Sequence, residues 1–276
     1  MFTLNCKGKL LLIDHPLVMG IINVTPDSFF AGSRFNTEND ILHQAEKMIK
    51  EGVDIIDVGG QSSRPGAQQE GIDEELKRIR GVIASLHKHF PELIISVDTF
   101  FSDVAKHAID SGASIINDIS GGNFDKKMIP VAASLNVPYV CTHIKGTPQT
   151  MQQKPHYENV TKEVLDFFID SIDVCKKAGI NDIIVDPGFG FGKGMRHNFT
   201  LLKDLSLFTM LKCPILLGVS RKSTIYKTLK ITAEEALNGT TVLHTIGLTN
   251  GASIIRTHDV KEAKEAIDLF MEYNRS

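Results

Sequence analysis

The sequence predicts an α/β fold, a (β/α)8 TIM barrel with an N-terminal hairpin-like extension. Three observations lead there. A short apolar β-branched run, then a polar residue, then an amphipathic stretch recurs eight times along the chain. The runs are near-continuously apolar, as strands buried on both faces must be. Their ends recur about every 33 residues, a comfortable strand–helix unit, and eight such units argue for a closed barrel. The chain has 276 residues, 42% of them hydrophobic, which is ample for one large core. Barrels of this size commonly form one domain, so residues 1–276 are read as a single domain. The alternative is a doubly wound open sheet, which the same alternation also permits.

Residues 2–15 precede the first run and read as an extra segment, a hairpin closing the barrel bottom. The eight runs follow: VMGIINV, VDIIDVGG, LIISVDT, SIINDIS, VPYVCTH, DIIVDPG, PILLGVS and ASIIRTHD. They end near Asn23, Asp57, Asp98, Asn117, His143, Asp186, Ser220 and Arg256. Between them lie helical stretches. Asp73 to His89 is acidic at its start and basic at its end, matching the helix dipole. Glu158 to Lys177 is a second long candidate.

Composition narrows the function. A net charge of -3 offers no global basic field for nucleic acid or an anionic membrane. No run approaches the roughly 20 apolar residues that span a bilayer. The first residues, MFTLNCKGKLLLIDHP, have no signal-like apolar core. Four separated cysteines form no C-x-x-C pair, so they read as buried thiols suited to a reducing cytoplasm.

The chemistry gathers at the run ends. Asn23, Asp57, Asp98, Asn117, His143, Asp186, Arg256 and His258 are polar or ionisable, and in a barrel such ends converge on the C-terminal mouth, where active sites sit. Arg256 and His258 are two apart and share one face of the last strand. Some of these residues can instead cap the following helices. That plainer reading is strong for Asp118, Ser102 and Asp103, balanced for Asp57, and weak for Arg256 with His258. An Arg and a His entering one mouth need an acidic partner or an anionic ligand. Asp98, Asn117 and Asp186 supply acceptors and one amide, suited to a flat heterocycle with an edge of N–H donors. Asn23, Arg256 and His258 suit an anion, above all a phosphate, and Lys222 can reach either group.

Two tempting motifs fall away. Gly188 to Gly194, GFGFGKG, fails both the G-x-x-x-x-G-K-[ST] and the G-x-G-x-x-G tests. It reads as a flexible loop with Phe189 available to line a site. Lys222 as a Schiff-base lysine is disfavoured, because it lies beyond its strand beside Arg221.

Taken in order, MGIINVTPDSFF, DIIDVGGQSSRPGA, ISVDTF, IINDISGG, THIKGTP, DPGFGFGK, GVSRKS and IIRTHDV resemble the dihydropteroate synthase family over nearly the whole chain. The resemblance implies a cytoplasmic barrel transferase of folate biosynthesis and a sulfonamide target. It joins 7,8-dihydropterin-6-ylmethyl diphosphate to 4-aminobenzoate and releases diphosphate and 7,8-dihydropteroate. It implies an SN1-like order with Mg2+-assisted diphosphate departure, and a homodimer. It assigns the pterin to Asp98, Asn117, Asp186 and Lys222, and the diphosphate to Asn23, Arg256 and His258 with Mg2+ near Asn23. It places aminobenzoate beside Ser63, Arg64, Pro65, Phe189, Lys222 and Ser223. Asn23, Asp27, Arg64 and Lys222 are then the candidate catalytic residues.

Within that resemblance, the stretch after Asn23 reads as a lid. Asp27 is placed to steady a cationic intermediate or to pair with Arg64, and Phe29 and Phe30 to exclude water. The chain departs from the commoner family pattern at Gln61 and Ser63, where GGESTRPG becomes GGQSSRPG, and at Thr142, often Met. These departures touch aminobenzoate and sulfonamide contacts. Two rivals remain: a pterin-binding methyltransferase, which needs no diphosphate clamp, and a pterin-binding protein without activity. Arg256 with His258 and the TPDSF stretch favour the synthase over the first. The full set of polar strand ends speaks against the second.

Overall fold

The computed structural model describes residues 1–24, 38–61, 69–153 and 155–276. Two short strands, β1 (Phe2–Cys6) and β2 (Lys9–Ile13), pair antiparallel with Phe2 opposite Ile13. Lys7 and Gly8 connect them with φ of 55° and 88°, the doubly positive geometry that matches the twist of a tight hairpin.

Eight parallel strands follow: β3 (Leu17–Asn23), β4 (Ile55–Gly59), β5 (Ile94–Asp98), β6 (Ile115–Asp118), β7 (Tyr139–Thr142), β8 (Ile183–Asp186), β9 (Leu216–Leu217) and β10 (Ile254–Thr257). Their order is β8-β7-β6-β5-β4-β3-β10-β9. The ring closes where Val185 bridges Ile215 in parallel and the Val185 N–H donates to the Pro214 carbonyl at 3.0 Å. The expected closed barrel is therefore the fold, and the open sheet is not. The seventh expected strand is the shortest, only Leu216–Leu217. Pro214 has no N–H to give the ladder and Gly218 follows at once.

Helices α1 (Glu38–Lys50), α2 (Ile72–His89), α3 (Ser102–Asp110), α4 (Met128–Leu135), α5 (Val160–Ala178), α6 (Met195–Lys203), α7 (Ser223–Leu229), α8 (Leu237–Thr249) and α9 (Val260–Arg275) surround the barrel. The two helices expected from the sequence are α2 and α5. Asn159 caps α5 by accepting from the Lys162 N–H, and Gly179 ends it at φ 100°. No helix among the described residues is long and apolar enough to cross a membrane.

Alternation along the strands divides the apolar residues. Val18, Ile22, Ile56, Val58, Ile95, Val97, Ile116 and Val185 face outward into the layer under the helices. Met19, Ile55, Ile94, Ile115, Val140, Ile184, Leu216 and Ile254 fill the barrel interior, together with Leu4, Cys6 and Ile13 of the hairpin. The hairpin thus seals the lower end. It is tethered by Asn5 N–H to Asp182 Oδ2 at 2.7 Å and by Lys7 Nζ to the Ile109 carbonyl at 2.8 Å. With its lower half closed by hydrocarbon, the barrel opens only at its C-terminal end.

Leu4 is 2% exposed in that plug. Leu4→Ala should lower stability by about 3 kcal/mol through lost burial and the cavity it leaves, measured by urea unfolding.

Candidate active site

Inward-facing residues above the apolar layer are polar. Strand alternation aims Asn23, Asp57, Ser96, Asp98, Asn117, Thr142, Asp186 and Arg256 into the barrel, because each lies an even number of residues from an interior apolar residue of its strand. In the ladder, Asn23 stands beside Gly59, Gly59 beside Asp98, and Asp98 beside Asn117. Thr142 stands beside Asp186.

Arg256 joins three of these strands. Its Nε donates to Asp57 Oδ2 at 2.7 Å and its Nη2 to Asp98 Oδ2 at 2.6 Å. Asn117 Nδ2 donates to the same Asp57 oxygen at 2.9 Å. Asp57 is fully buried, so it is neither a helix cap nor a ligand group at the surface. It is the internal counterion of Arg256. Burial works against the guanidinium charge, but Asp57 and Asp98 together raise its pKa above the ordinary value. Burial pushes the Asp98 carboxyl up to about 7, with Arg256 pulling the other way. The acidic partner that the Arg256–His258 pair demanded is thus supplied in duplicate. The acceptor set and the anion set that the sequence kept apart are joined here by the bond from Arg256 to Asp98.

Lys222 and Asp186 form the other wall. Lys222 sits at the N-cap of α7, its Nζ donating to the Phe189 carbonyl and lying 4.6 Å from the centre of the Phe191 ring. A Cβ placed on Gly218 would lie 3.7 Å from both Asp186 Oδ2 and Lys222 Nζ. The missing side chain at this inward position keeps open a space that both groups face. Burial lowers the Lys222 pKa to about 8 against the pull of Asp186, and raises that of Asp186 against the pull of Lys222. Gly59 does the same for the other wall, where a Cβ would sit 3.5 Å from Asn23 Oδ1.

Phe189 contributes differently from the expectation. Its ring is buried in the outer core, and it offers the mouth its carbonyl. The ring facing Lys222 belongs to Phe191, two residues on. His143 also turns away. Because Thr142 faces inward, the next residue faces out, and the His143 ring packs against Phe167 at 4.9 Å and bonds Lys193 Nζ at 2.7 Å. Ser223 begins α7. His258 lies just past β10, its N–H donating to Ser220 Oγ at 3.2 Å. Asp27, Ser63, Arg64 and Pro65, with the expected lid around Phe29 and Phe30, lie outside the described residues. Asp118 faces outward but does not cap the following helix, which begins only at Met128 after Lys127. It serves structure, accepting from Ser120, Gly122 and the Tyr139 hydroxyl.

Ser96 Oγ, Thr142 Oγ1 and Asp57 Oδ1 are buried without a hydrogen-bond partner among the described residues. Buried polar atoms are rarely left so, and these call for a polar ligand edge or bound water. The mouth therefore combines buried and part-buried acceptors, a part-buried guanidinium, and an ammonium beside an open space.

The chain matches the family described as "Pterin binding enzyme" over residues 19–258. It is 43% identical over 263 residues to the dihydropteroate synthase of Escherichia coli strain K12, covering 95% of this chain and 93% of that one. The chain belongs to the dihydropteroate synthase family. Solved dihydropteroate synthases share the whole architecture. The Yersinia pestis enzyme with a sulfonamide drug superimposes with a TM-score of 0.96 at 37% identity, covering 100% of both chains. The Xanthomonas albilineans enzyme with 4-aminobenzoic acid gives 0.92 at 36% identity, covering 99% of this chain and 98% of that one.

One cluster at the rim went unread in the sequence. Gln61 Nε2 donates to the Glu70 carbonyl at 2.9 Å and to Glu75 Oε2 at 2.8 Å, while its Oε1 accepts from the Glu70 N–H at 3.1 Å. It clamps together the chain on either side of residues 62–68. Burial pushes Glu75 up to about 7, despite the hydrogen bond from Gln61. No sequence signal marks this, since Glu75 reads as an ordinary first-turn helix acid.

A carboxyl whose folded pKa exceeds its unfolded value stabilises most below the unfolded value, and that stability is lost as pH rises through the folded one. For Glu75 the window runs from 4.5 to about 7. Glu75→Gln should shrink the stability difference between pH 5 and pH 8 by up to about 3 kcal/mol, read from urea unfolding at both pH values.

Proposed function

We propose that the chain joins 7,8-dihydropterin-6-ylmethyl diphosphate to 4-aminobenzoate, giving 7,8-dihydropteroate and diphosphate in folate biosynthesis. The observation that carries this reading is the lining of the mouth, where Asp98, Asn117, Asp186 and Lys222 surround space left by inward glycines. Carboxylates Asp98 and Asp186 accept hydrogen bonds from the pterin amino and ring N–H groups. Asn117 gives one Nδ2 hydrogen to Asp57, so its Oδ1 and its second N–H are what it has left for a ligand. Lys222 donates to a ring acceptor. A ring without the matching donors leaves these buried groups unpaired and is rejected.

The diphosphate lies toward Asn23 and His258, with Arg256 beneath it. Two of the Arg256 donors are committed to carboxylates, so Nη1 and the guanidinium face are what it presents to a ligand. Among the described residues no group of three or more His, Cys, Asp or Glu holds a metal ion by itself. Asn23 offers one neutral oxygen, which suits Mg2+, an ion that keeps several waters and takes the rest of its shell from substrate phosphates. Mg2+ held there would supply positive charge to offset that of the departing diphosphate.

The reaction is SN1-like. The bond from the pterin methylene carbon to the diphosphate oxygen breaks, and its electron pair leaves with the diphosphate. The electron-rich ring delocalises the charge left on the methylene carbon. The aminobenzoate nitrogen attacks that carbon, a C–N bond forms, and the nitrogen releases one proton. The amine is already a nucleophile, so no activated side chain is required. Aminobenzoate is placed beside Lys222, Ser223 and the Phe189 carbonyl, with Ser63, Arg64 and Pro65 completing the set. Asp27 is assigned to the cationic intermediate.

A homodimer in the cytoplasm belongs to the same reading. Exposed Val242 and Ile246 stand one turn apart on α8, as do Leu269 and Tyr273 on the neighbouring α9, which supports a partner surface. Four buried free thiols suit a reducing compartment.

Purified protein given both substrates and Mg2+ should release diphosphate and form dihydropteroate; pterin binding without product would refute the synthase reading. Asp98→Ala should weaken binding of a pterin lacking the diphosphate by at least about tenfold, the worth of one unpaired charged hydrogen bond, measured by calorimetry. Unchanged affinity would remove Asp98 from the slot.

A further inference from the structure

We propose that Lys193 is a positioning residue for the pterin slot, an internal cation around which residues 187–194 fold so that Asp186 and Lys222 are held in place. This rests on the reading of Asp186 and Lys222 as slot residues.

Lys193 is 2% exposed, a rare state for a lysine. Four acceptors converge on its Nζ: His143 Nδ1 at 2.7 Å, the His143 carbonyl at 3.1 Å, the Gly188 carbonyl at 3.0 Å and the Phe191 carbonyl at 3.1 Å. An ammonium has three hydrogens, so four acceptors saturate it and repay much of its desolvation. Burial pulls the Lys193 pKa well down, and the Asp186 carboxylate opposes that pull. Burial and the Lys193 charge together hold His143 down to about 2, so its ring is neutral and keeps a lone pair for Lys193.

The glycines of GFGFGKG now have a reason. Gly188, Gly190 and Gly192 have φ of 70°, 83° and 65°. A Cβ on Gly188 would come within 1.9 Å of the His143 carbonyl oxygen, and one on Gly192 within 2.2 Å of the Lys145 carbonyl oxygen. The loop lies directly against the chain leaving β7, and only glycine allows that approach.

The chain of contacts then runs to the slot. Lys193 holds the Gly188 and Phe191 carbonyls, the two ends of a turn closed by the Phe191 N–H on Gly188 at 3.0 Å. That turn presents the Gly188 N–H to Asp186 Oδ1 at 2.8 Å. It also presents the Phe189 carbonyl and the Phe191 ring to Lys222. The lysine that resembles a phosphate binder in sequence points away from the ligand and braces the two residues that meet it.

The test is a double-mutant cycle read as affinity for a pterin lacking the diphosphate, by calorimetry on folded protein checked by thermal melting. Lys193→Met should weaken binding at least about tenfold in the native background and only about two- to threefold beside Lys222→Met, because one of the two residues it braces is then already gone and only the path through Asp186 remains. Equal losses in both backgrounds would show a general structural role and overturn the proposal. So would native affinity in folded Lys193→Met while Lys222→Met alone loses affinity. Unchanged affinity in Lys222→Met would overturn the slot assignment, and this proposal with it. Should Lys193→Met fail to fold, Lys193→Gln, which keeps two N–H donors, carries the same cycle with a smaller loss, judged by the same outcomes.

Discussion

The guanidinium of Arg256 is the interaction on which the mouth depends. It reaches from β10 to Asp57 on β4 and Asp98 on β5, and Asn117 brings β6 to the same Asp57 oxygen. Half of the barrel strands are thereby tied at their C-terminal ends by charge, above a layer tied only by hydrocarbon. Removing one partner of a buried ion pair costs about 3–5 kcal/mol, because the other charge is stranded. The network is therefore as much a part of the fold as of the site. It delivers Asp98 to the pocket already oriented, so a ligand need not pay to order it.

The other half of the mouth is built on the same plan with a different cation. Lys193 gathers the end of β7 and the loop after β8, and that loop braces Lys222 from the segment after β9. Each half has one basic side chain held among acceptors, Arg256 part-buried and Lys193 fully enclosed. Each also has an inward glycine, Gly59 or Gly218, that leaves the room a ligand requires. The hairpin plug makes this arrangement one-sided. With Leu4, Cys6 and Ile13 closing the lower end, polar groups inside the barrel have only the C-terminal opening to face.

Two of the three departures from the commoner family pattern, at Gln61 and Thr142, acquire physical meaning in this frame; Ser63 lies outside the described residues. A glutamate at position 61 would face Glu75 in a buried setting, where two carboxyls so close must share a proton. Gln61 donates to Glu75 instead and grips both atoms of the Glu70 peptide edge. Thr142 faces the interior beside Asp186 with a buried hydroxyl, where methionine would fill the space with hydrocarbon.

Much of this was legible in the amino-acid sequence. Eight apolar runs, their spacing and the polar residue ending each determined the barrel, its open end and the set Asn23, Asp98, Asn117, Asp186 and Arg256 that faces it. These follow from local rules: two-faced burial makes a strand apolar, and the period of two sends alternate residues inward. What depends on contact between distant segments was not legible. That Arg256 is shared by Asp57 and Asp98, that His143 turns outward to Lys193, that Phe191 and not Phe189 turns its ring to Lys222, and that Gln61 clasps Glu75 each depend on which residues meet in space. A sequence lists which charges exist. Only the closed barrel decides which of them are buried together, and burial is what turns a nearby opposite charge into an obligatory partner.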